Sequence, residues 1–206
     1  MAKHEQREQP EGELFLVRHG QTEWSVSGRH TGLTDIPLTE DGKREAERIQ
    51  PVLAGREFAR VLSSPLQRAL RTCELAGFGA QVEVEHDLVE WNYGDYEGLK
   101  RAEIASKAGP DWGVFTHGCA GGESPEQIAA RVDRLIAKVR GIEGRVLAFA
   151  HGHVLRVVAA RWIGAPVALG QHLLLDTATL SILSYYRGTP VLKHWNAPFD
   201  IASRES

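Results

Sequence analysis

Four side chains come after strands of the predicted fold and are of types that bind or transfer phosphate groups. They are Arg18, His19, Arg68 and His151. An arginine guanidinium presents paired N–H donors that match phosphate oxygens, and it stays charged at any working pH. A neutral imidazole offers one nitrogen lone pair for nucleophilic attack and one N–H for a hydrogen bond. Two arginines and two histidines around one point would therefore bind a phosphate group and support its transfer.

Short apolar runs come directly before these side chains and predict buried strands. The run 14–17 ends at Arg18 and the run 146–150 ends at His151, and the segment 58–62, which contains Arg60, is predicted as a strand before a Ser-Ser-Pro turn. Fully apolar runs of this length are typical of parallel strands that are buried on both faces. The carboxyl ends of parallel strands lie at one edge of the sheet, where open α/β sheets bind their ligands. We therefore expect the four side chains to converge.

Helical patterns separate the strands. The amphipathic stretch 43–53 follows Thr39, a good N-cap, and Pro51 is expected to kink or end this helix early. Ser64 followed by Pro65 is a typical N-cap and first helical residue. Further helices are predicted over 65–76, over 125–140 behind a capping box at Ser124, and over 154–163, which is apolar nearly all round.

The end of the chain predicts a β-hairpin. Its strand candidates are 180–186 and 191–195, joined by a turn at 187–190, and a short strand is also predicted at 82–84. Strands that alternate with helices indicate an α/β fold. We expect three layers, with helices on both faces of a mostly parallel central sheet and an antiparallel pair added by the hairpin. The exposed edge strand of that hairpin could pair with a second copy of the chain and form a homodimer.

Length, charge and composition limit the possible partners. The 206 residues suit one domain, and the net charge of -3 argues against a strongly basic nucleic-acid-binding surface. We interpret 1–12 as a disordered polar leader, 13–200 as one catalytic domain and 201–206 as a tail. No apolar run reaches the length of a membrane-spanning helix, about 20 residues. The leader also lacks the apolar core of a signal peptide, so we expect a cytoplasmic protein that contacts no membrane.

Neither the cysteines nor the histidines follow the spacing of a metal site. Cys73 and Cys119 stand far apart and belong to no Cys-x-x-Cys pair, which indicates two reduced thiols. The nine histidines show no metal-ligand spacing. We therefore expect no metal and no cofactor.

A series of spaced motifs resembles the signature of the histidine phosphatase superfamily, which includes the cofactor-dependent phosphoglycerate mutases. The motifs lie at 16–24, 31–39, 63–69, 90–94 and 150–152, and the similarity covers about residues 13–196. The resemblance implies a phosphoglycerate mutase-like fold and a metal-independent phosphatase. In this family a phosphoryl group is held covalently on a histidine, and the residue that matches the nucleophile is His19.

The resemblance also implies roles for the other matching residues. Arg18, Arg68 and His151 would form the phosphate pocket and neutralise charge in the transition state. The second ring nitrogen of His19 would donate to a backbone carbonyl and fix the tautomer. Glu90 would protonate the leaving oxygen and then activate water, which calls for a raised pKa. Asp95 and Glu97 in the same loop make the choice of Glu90 less unique.

Residues beyond these five are assigned to substrate binding. They are Ser25, Thr31, Gly32, Tyr93 and Arg101. Ser25 stands where many family members have asparagine, and its hydroxyl can still donate a hydrogen bond. Lys100, Arg101, His30 and His117 could bind a second phosphate, or they could be solvated surface residues.

The region after the Glu90 loop favours hydrolysis over phosphoryl transfer between two positions of a substrate. The mutases carry an Arg-Arg-Gly segment there, and residues 111–119 lack it. The motifs are closest to a branch of acid phosphatases and sugar bisphosphatases. We expect a phosphomonoester hydrolase acting on a small phosphorylated metabolite, a sugar phosphate or bisphosphate. The alternatives are a cofactor-dependent phosphoglycerate mutase and a phosphate-binding protein without turnover.

Overall fold

The computed structural model describes residues 12–199. The tail predicted at 201–206 and nearly all of the leader predicted at 1–12 lie outside the described residues. Six strands are found in the described part of the chain: β1 Leu14–Arg18, β2 Arg60–Ser63, β3 Val82–Val84, β4 Val146–Ala150, β5 Thr179–Tyr186 and β6 Thr189–Pro198. They form one sheet in the order β3-β2-β4-β1-β5-β6.

Four of these strands run parallel, as the alternation of strands and helices predicts. β1 pairs with β4, β4 with β2, and β2 with β3, all in parallel. β5 and β6 form the predicted antiparallel hairpin at the other edge. The two strands meet at a shorter turn than expected, because both Arg187 and Gly188 adopt positive φ angles, of 51° and 78°. Two left-handed residues are enough to reverse the chain between twisted strands.

Eight helices flank the sheet in residues 12–199: α1 Glu23–Ser27, α2 Glu40–Glu47, α3 Ile49–Leu53, α4 Gln67–Leu75, α5 Arg101–Ala108, α6 Val114–His117, α7 Pro125–Arg140 and α8 Gly152–Trp162. Side chains of β1 alternate between the two faces of the sheet. Leu14 and Leu16 pack with α7 and α8. Phe15 and Val17 pack with α3 and α4 on the opposite face. The predicted three-layer α/β architecture is confirmed.

The predicted helix over 43–53 is two helices. Thr39 caps the first one as expected, since its hydroxyl accepts from the N–H of Gly42. The helical hydrogen bonding then breaks at Arg48. Pro51 has no N–H to donate to the carbonyl of Glu47, so the continuous pattern of hydrogen bonds cannot pass this point. The break lies three residues earlier than Pro51 itself.

The helix predicted to start at Pro65 begins two residues later, and Ser64 is not its N-cap. The cap position of α4 is Leu66, which makes no side-chain cap. The first helical N–H, of Gln67, donates instead to Asp35 Oδ1 at 2.8 Å. A side chain from a distant loop thus satisfies this helix end, while the hydroxyl of Ser64 accepts from the N–H of Leu66 at 3.3 Å and also contacts His151 in the site described below.

Candidate active site

The carboxyl ends of β1 and β4 bring two predicted site histidines side by side. Arg18 pairs with Ala150 in the sheet register, and the backbone N–H of His19 donates to the carbonyl of Ala150 at 2.9 Å. The rings of His19 and His151 come directly after these strands, with centroids 5.2 Å apart. The parallel register therefore produces the convergence that the sequence predicts.

His19 is held as a neutral imidazole with one defined tautomer. Its Nδ1 lies 2.7 Å from the carbonyl oxygen of Gly20, which can only accept a hydrogen bond. Nδ1 therefore carries the proton and Nε2 keeps a lone pair. Burial holds the pKa of His19 well below its ordinary value of 6.5, and the nearby charges of Arg68 and Arg18 add to this effect. A neutral, oriented ring is the form that a nitrogen nucleophile needs.

Arg68 lies behind His19 and is fully buried. Its guanidinium donates to three backbone carbonyls of one loop, at 2.9 Å to Thr34, 2.8 Å to Gly32 and 3.3 Å to Thr31. Its Nε donates to Nδ1 of His151 at 3.0 Å. The loop carbonyls and the histidine together fix the orientation of the charge next to His19.

His151 is oriented by contacts on both ring nitrogens. Because Nδ1 accepts from Arg68, the ring proton lies on Nε2, which contacts the hydroxyl of Ser64 at 2.7 Å. Burial lowers the pKa of His151 well below 6.5, and the positive charge of Arg68 contributes. His151 is therefore neutral, and its buried ring lies next to the ring of His19.

Arg18 carries an unused hydrogen-bond donor. Its Nη1 donates to the carbonyl of Leu175 at 2.5 Å. Its Nε is the one buried side-chain nitrogen or oxygen without a hydrogen-bond partner among residues 12–199. Burial lowers the pKa of this arginine, and the charge of Glu90 opposes that effect. An unpaired buried N–H is costly, so this donor indicates a position for an anionic oxygen.

Glu90 is anchored at the start of α8. Its Oε1 accepts from the N–H groups of Trp91 at 2.9 Å and Val154 at 2.8 Å, and its Oε2 accepts from that of His153 at 3.0 Å. All three donors are backbone N–H groups, so they hold the carboxyl group in one orientation. The role of Glu90 as proton donor stays a prediction.

An open cavity of about 200 Å³ lies in front of His19 and is lined by Arg18, His19 and Glu90. The predicted substrate-binding residues Ser25, Thr31 and Tyr93 also line it, whereas Gly32 and Arg101 do not. Gly32 is buried, and its carbonyl accepts a hydrogen bond from Arg68. Arg101 is exposed at the first position of α5.

Arg68 and His151 do not line the cavity either. Of the residues considered for a second phosphate, His30 lines the cavity, and Lys100, Arg101 and His117 do not. The side chain of His117 packs on its own short helix, where its Nδ1 accepts from the N–H of Gly113 at 3.1 Å. The surface assignment of these three residues is therefore the better one.

The sequence interpretation missed Arg156, which lines the same cavity. Its Nε and Nη2 donate to the carbonyls of Gly170 and Gln171, at 2.8 and 3.2 Å. Its guanidinium lies 4.4 Å from the ring centroid of Phe115. The signal was a charged residue in the second turn of a largely apolar helix, a position that needs a polar partner or ligand.

Two other missed residues, Arg29 and His153, line the cavity as well. His153 Nδ1 forms a short hydrogen bond with the hydroxyl of Tyr93. Burial lowers the pKa of His153 well below 6.5, with a contribution from Arg156, and burial raises the pKa of Tyr93 well above 10. Both groups are thus neutral, so the arginines supply the positive charge of the cavity.

Residues 12–199 contain no group of three or more histidine, cysteine or acidic side chains that could hold a metal ion. Cys73 and Cys119 are both free, and burial raises the pKa of each thiol to about 12. Neither sulfur is a ready thiolate. In the same part of the chain, no helix combines the length and the apolar character that crossing a membrane requires.

Comparison with known proteins agrees with this geometry. The family model of the histidine phosphatase superfamily (branch 1) matches residues 14–198. An acid phosphatase of Mycobacterium tuberculosis is 41% identical, and the match covers 85% of this chain and 87% of that protein. A sedoheptulose 1,7-bisphosphatase of Saccharomyces cerevisiae is 39% identical, over 74% of this chain and 68% of that protein.

A solved structure from Mycobacterium tuberculosis, the product of an open reading frame, has the same fold. It superposes with a TM-score of 0.86 at 38% sequence identity, and the match covers 91% of this chain and 98% of that chain. The structural similarity therefore extends over most of this chain and nearly all of that one.

Proposed function

Because the chain belongs to branch 1 of the histidine phosphatase superfamily and is a phosphoric monoester hydrolase, we propose that His19 carries the phosphoryl group during turnover. The observation that carries this proposal is the state of His19. Its Nδ1 proton is held by the carbonyl of Gly20, burial beside two arginines keeps the ring neutral, and the ring lines an open cavity.

In the first step, Nε2 of His19 attacks the phosphorus atom of a bound phosphomonoester. A nitrogen–phosphorus bond forms as the bond from phosphorus to the ester oxygen breaks. The unpartnered Nε of Arg18 donates to a non-bridging phosphate oxygen, and the buried charge of Arg68 lowers the energy of the transition state. His151 supports this charge through its hydrogen bond from Arg68.

The second part of the proposal concerns the protons. Glu90 lines the same cavity as His19, and it donates a proton to the leaving ester oxygen. The resulting carboxylate then takes a proton from water, which attacks phosphorus and releases inorganic phosphate and neutral His19. The three backbone donors around Glu90 hold the carboxyl group in place for both steps.

The proposed substrates are small phosphorylated metabolites, sugar phosphates or bisphosphates. The relatives include one enzyme whose name describes a sugar with two phosphate groups. The cavity also has more positive charge than a single phosphate requires, because Arg29 and Arg156 line it in addition to Arg18. We assign a second phosphate of the substrate to Arg156 rather than to Lys100 or Arg101, which lie outside the cavity.

The mutase alternative is less well supported. The stretch 102–130 contains no arginine. Its aromatic residues Trp112 and Phe115 are buried in the core, and Trp112 Nε1 donates to the carbonyl of Gly118 at 2.9 Å. This region thus lacks the arginine pair with which the mutases bind phosphoglycerate, and its two large aromatic side chains belong to the core.

The test is release of inorganic phosphate from p-nitrophenyl phosphate and a panel of sugar phosphates and bisphosphates, with EDTA present. We expect EDTA-resistant hydrolysis by the wild type. His19→Ala should lower the rate by at least about 10⁴-fold, the order of loss when a covalent nucleophile is removed. His86→Ala, at an exposed histidine, is the matched control and should leave the rate unchanged.

A direct readout is acid-labile radioactive phosphate on the protein after a quench during turnover with ³²P-labelled substrate. The label should be present on the wild type and absent from His19→Ala. Hydrolysis that survives in His19→Ala would refute the proposed nucleophile. Phosphoglycerate isomerisation that depends on a bisphosphoglycerate primer, without net phosphate release, would instead establish the mutase.

A further inference from the structure

The loop that holds Arg68 is itself held by a carboxylate outside the cavity. Glu97 Oε1 accepts from the backbone N–H of Gly32 at 2.8 Å and from that of Thr34 at 3.2 Å. The carbonyls of Thr31, Gly32 and Thr34 on the same loop accept from Arg68. One short segment thus lies between a negative and a positive side chain.

One peptide group contacts both charged side chains directly. The peptide between Thr31 and Gly32 donates its N–H to Glu97 and accepts from Arg68 Nη2 on its carbonyl, at 3.3 Å. The N–H and C=O of a peptide point in opposite directions. A carboxylate at the N–H end and a guanidinium at the C=O end therefore polarise the group in the same sense, and each hydrogen bond strengthens the other.

The packing leaves this segment little freedom. A side-chain carbon added at Gly32 would lie 2.6 Å from Glu97 Oε2 and 2.5 Å from the carbonyl oxygen of Trp91. The preceding residue is also fixed, because His30 exchanges backbone hydrogen bonds with Leu99 and Gly98, each at 2.9 Å. Within residues 12–199, the hydrogen-bond donors to the Glu97 carboxylate are the two loop amides.

We propose that Glu97 is a positioning residue that orients Arg68 through the backbone of residues 31–34. This inference rests on the proposed function, in which Arg68 stabilises the transferring phosphoryl group. Glu97 does not line the cavity and does not touch the reacting atoms. Thr31 of the same loop lines the cavity, and the loop's contact with His151 runs through the guanidinium of Arg68.

The first test compares two substitutions of Glu97. Glu97→Ala removes both loop contacts and should lower kcat for p-nitrophenyl phosphate by about 10- to 100-fold, because small displacements of a catalytic group cost that much. Glu97→Gln keeps an oxygen in place of Oε1, which both amides share, and should restore the rate to within about threefold. Asp95→Asn, at an exposed acid of the same loop, is the matched control and should behave as wild type.

The second test is a double-mutant cycle with Arg68→Ala, measured on kcat and on the affinity for orthovanadate. If Glu97 acts through Arg68, then Glu97→Ala should change either quantity by less than about threefold once Arg68 is gone. The vanadate arm needs no turnover, so it remains informative even if the proposed hydrolysis fails.

Three results would overturn the inference. Losses that multiply fully in the double mutant would show that Glu97 acts independently of Arg68. Equal damage by Gln and Ala, with normal thermal unfolding, would show that the loop contacts are not what matters. A loss confined to sugar phosphates, with normal turnover of p-nitrophenyl phosphate and its good leaving group, would make Glu97 a proton donor. Each of these outcomes leaves hydrolysis through His19 intact.

Discussion

Two regions of the site differ in how their polar atoms are satisfied. The inner cluster consists of His19, Arg68, His151 and Ser64, all buried, with hydrogen bonds to the protein itself. The cavity wall consists of Arg18, Arg29, His30, Tyr93, Glu90, His153 and Arg156, and it includes the buried Arg18 Nε that has no partner.

The difference separates two tasks. In the inner cluster, His19, Ser64 and His151 come directly after β1, β2 and β4, where the sheet register fixes each backbone position, and Arg68 on α4 donates to His151. In the proposed reaction this cluster acts, together with Arg18 at the end of β1 and Glu90, on the phosphoryl group that is common to every phosphomonoester. The remaining wall residues come from loops and the first turns of α8, and we expect them to face the part of the substrate that varies. Changes in the inner cluster should therefore affect all substrates, and changes in the remaining wall residues should affect selected ones.

The largest expected effect tests the inner cluster. Arg68→Ala should lower kcat/KM by about 10²–10³-fold for every substrate, because it removes a preorganised charge from a buried site. Initial rates with p-nitrophenyl phosphate and with a sugar bisphosphate would measure this. Arg71→Ala is the control, since Arg71 lies on the same helix and pairs with Glu74 at the surface. A loss limited to one substrate would contradict the division between the two regions.

A smaller and selective effect is expected in the wall. Arg156→Ala should raise KM for a sugar bisphosphate by about 10- to 100-fold, the value of a charge-assisted hydrogen bond, and leave p-nitrophenyl phosphate within about threefold. Arg161→Ala on the same helix is the control, because Arg161 pairs with Asp133 instead. If KM rose equally for both substrates, Arg156 would act on the group common to all substrates, as the inner cluster does, or it would stabilise the core through its contact with Phe115.

The smallest expected effect is on stability. The free energy of unfolding should depend on pH, because both regions contain histidines with lowered pKa values. Burial lowers the pKa values of His19, His151 and His153 in the folded protein, so below about pH 6.5 the unfolded chain binds more protons than the folded one. Stability is therefore fully present above pH 6.5 and declines as the pH falls towards the folded pKa values. Urea unfolding at pH 7.5 and pH 5.5 should give a lower free energy of unfolding at pH 5.5.

Two variants sharpen this measurement. His151→Ala should reduce the pH dependence, because one buried histidine no longer takes up a proton on unfolding. His86→Ala, at an exposed position, should leave it unchanged. A free energy of unfolding that rises between pH 7.5 and pH 5.5 would show that these three histidines are not held neutral in the folded protein.

Much of the fold follows from local patterns. The strands at 14–18, 82–84 and 146–150 and the helix Pro125–Arg140 with its Ser124 cap stand where apolar runs and capping residues predict them. The misplaced boundaries have tertiary causes. α4 begins at Gln67 because Asp35, 32 residues earlier in the chain, supplies the hydrogen bond for its first N–H. No local pattern contains that information.

For the site, residue types and strand ends predicted that His19 and His151 would lie side by side, as the structure shows, and their catalytic roles stay predictions. The parallel register puts residues that come after β1 and β4 side by side, so their position in sequence determines their position in space. The wall was predicted less well, and Arg156 was missed while Arg101 was included. Their side-chain directions depend on how α8 and α5 pack, which is a property of distant contacts.

The sequence alone therefore determined the α/β fold and the phosphate-binding residue types at the strand ends, because these depend on periodicity and on local residue types, and the resemblance of its motifs added the phosphatase chemistry and the candidate nucleophile. Only the tertiary structure decided that the carbonyl of Gly20 is the acceptor for His19, that Nε of Arg18 has no partner, and that Glu97 is linked through residues 31–34 to Arg68. The link from Glu97 to Arg68 joins segments far apart in the chain, and its geometry exists only when the layers are packed together.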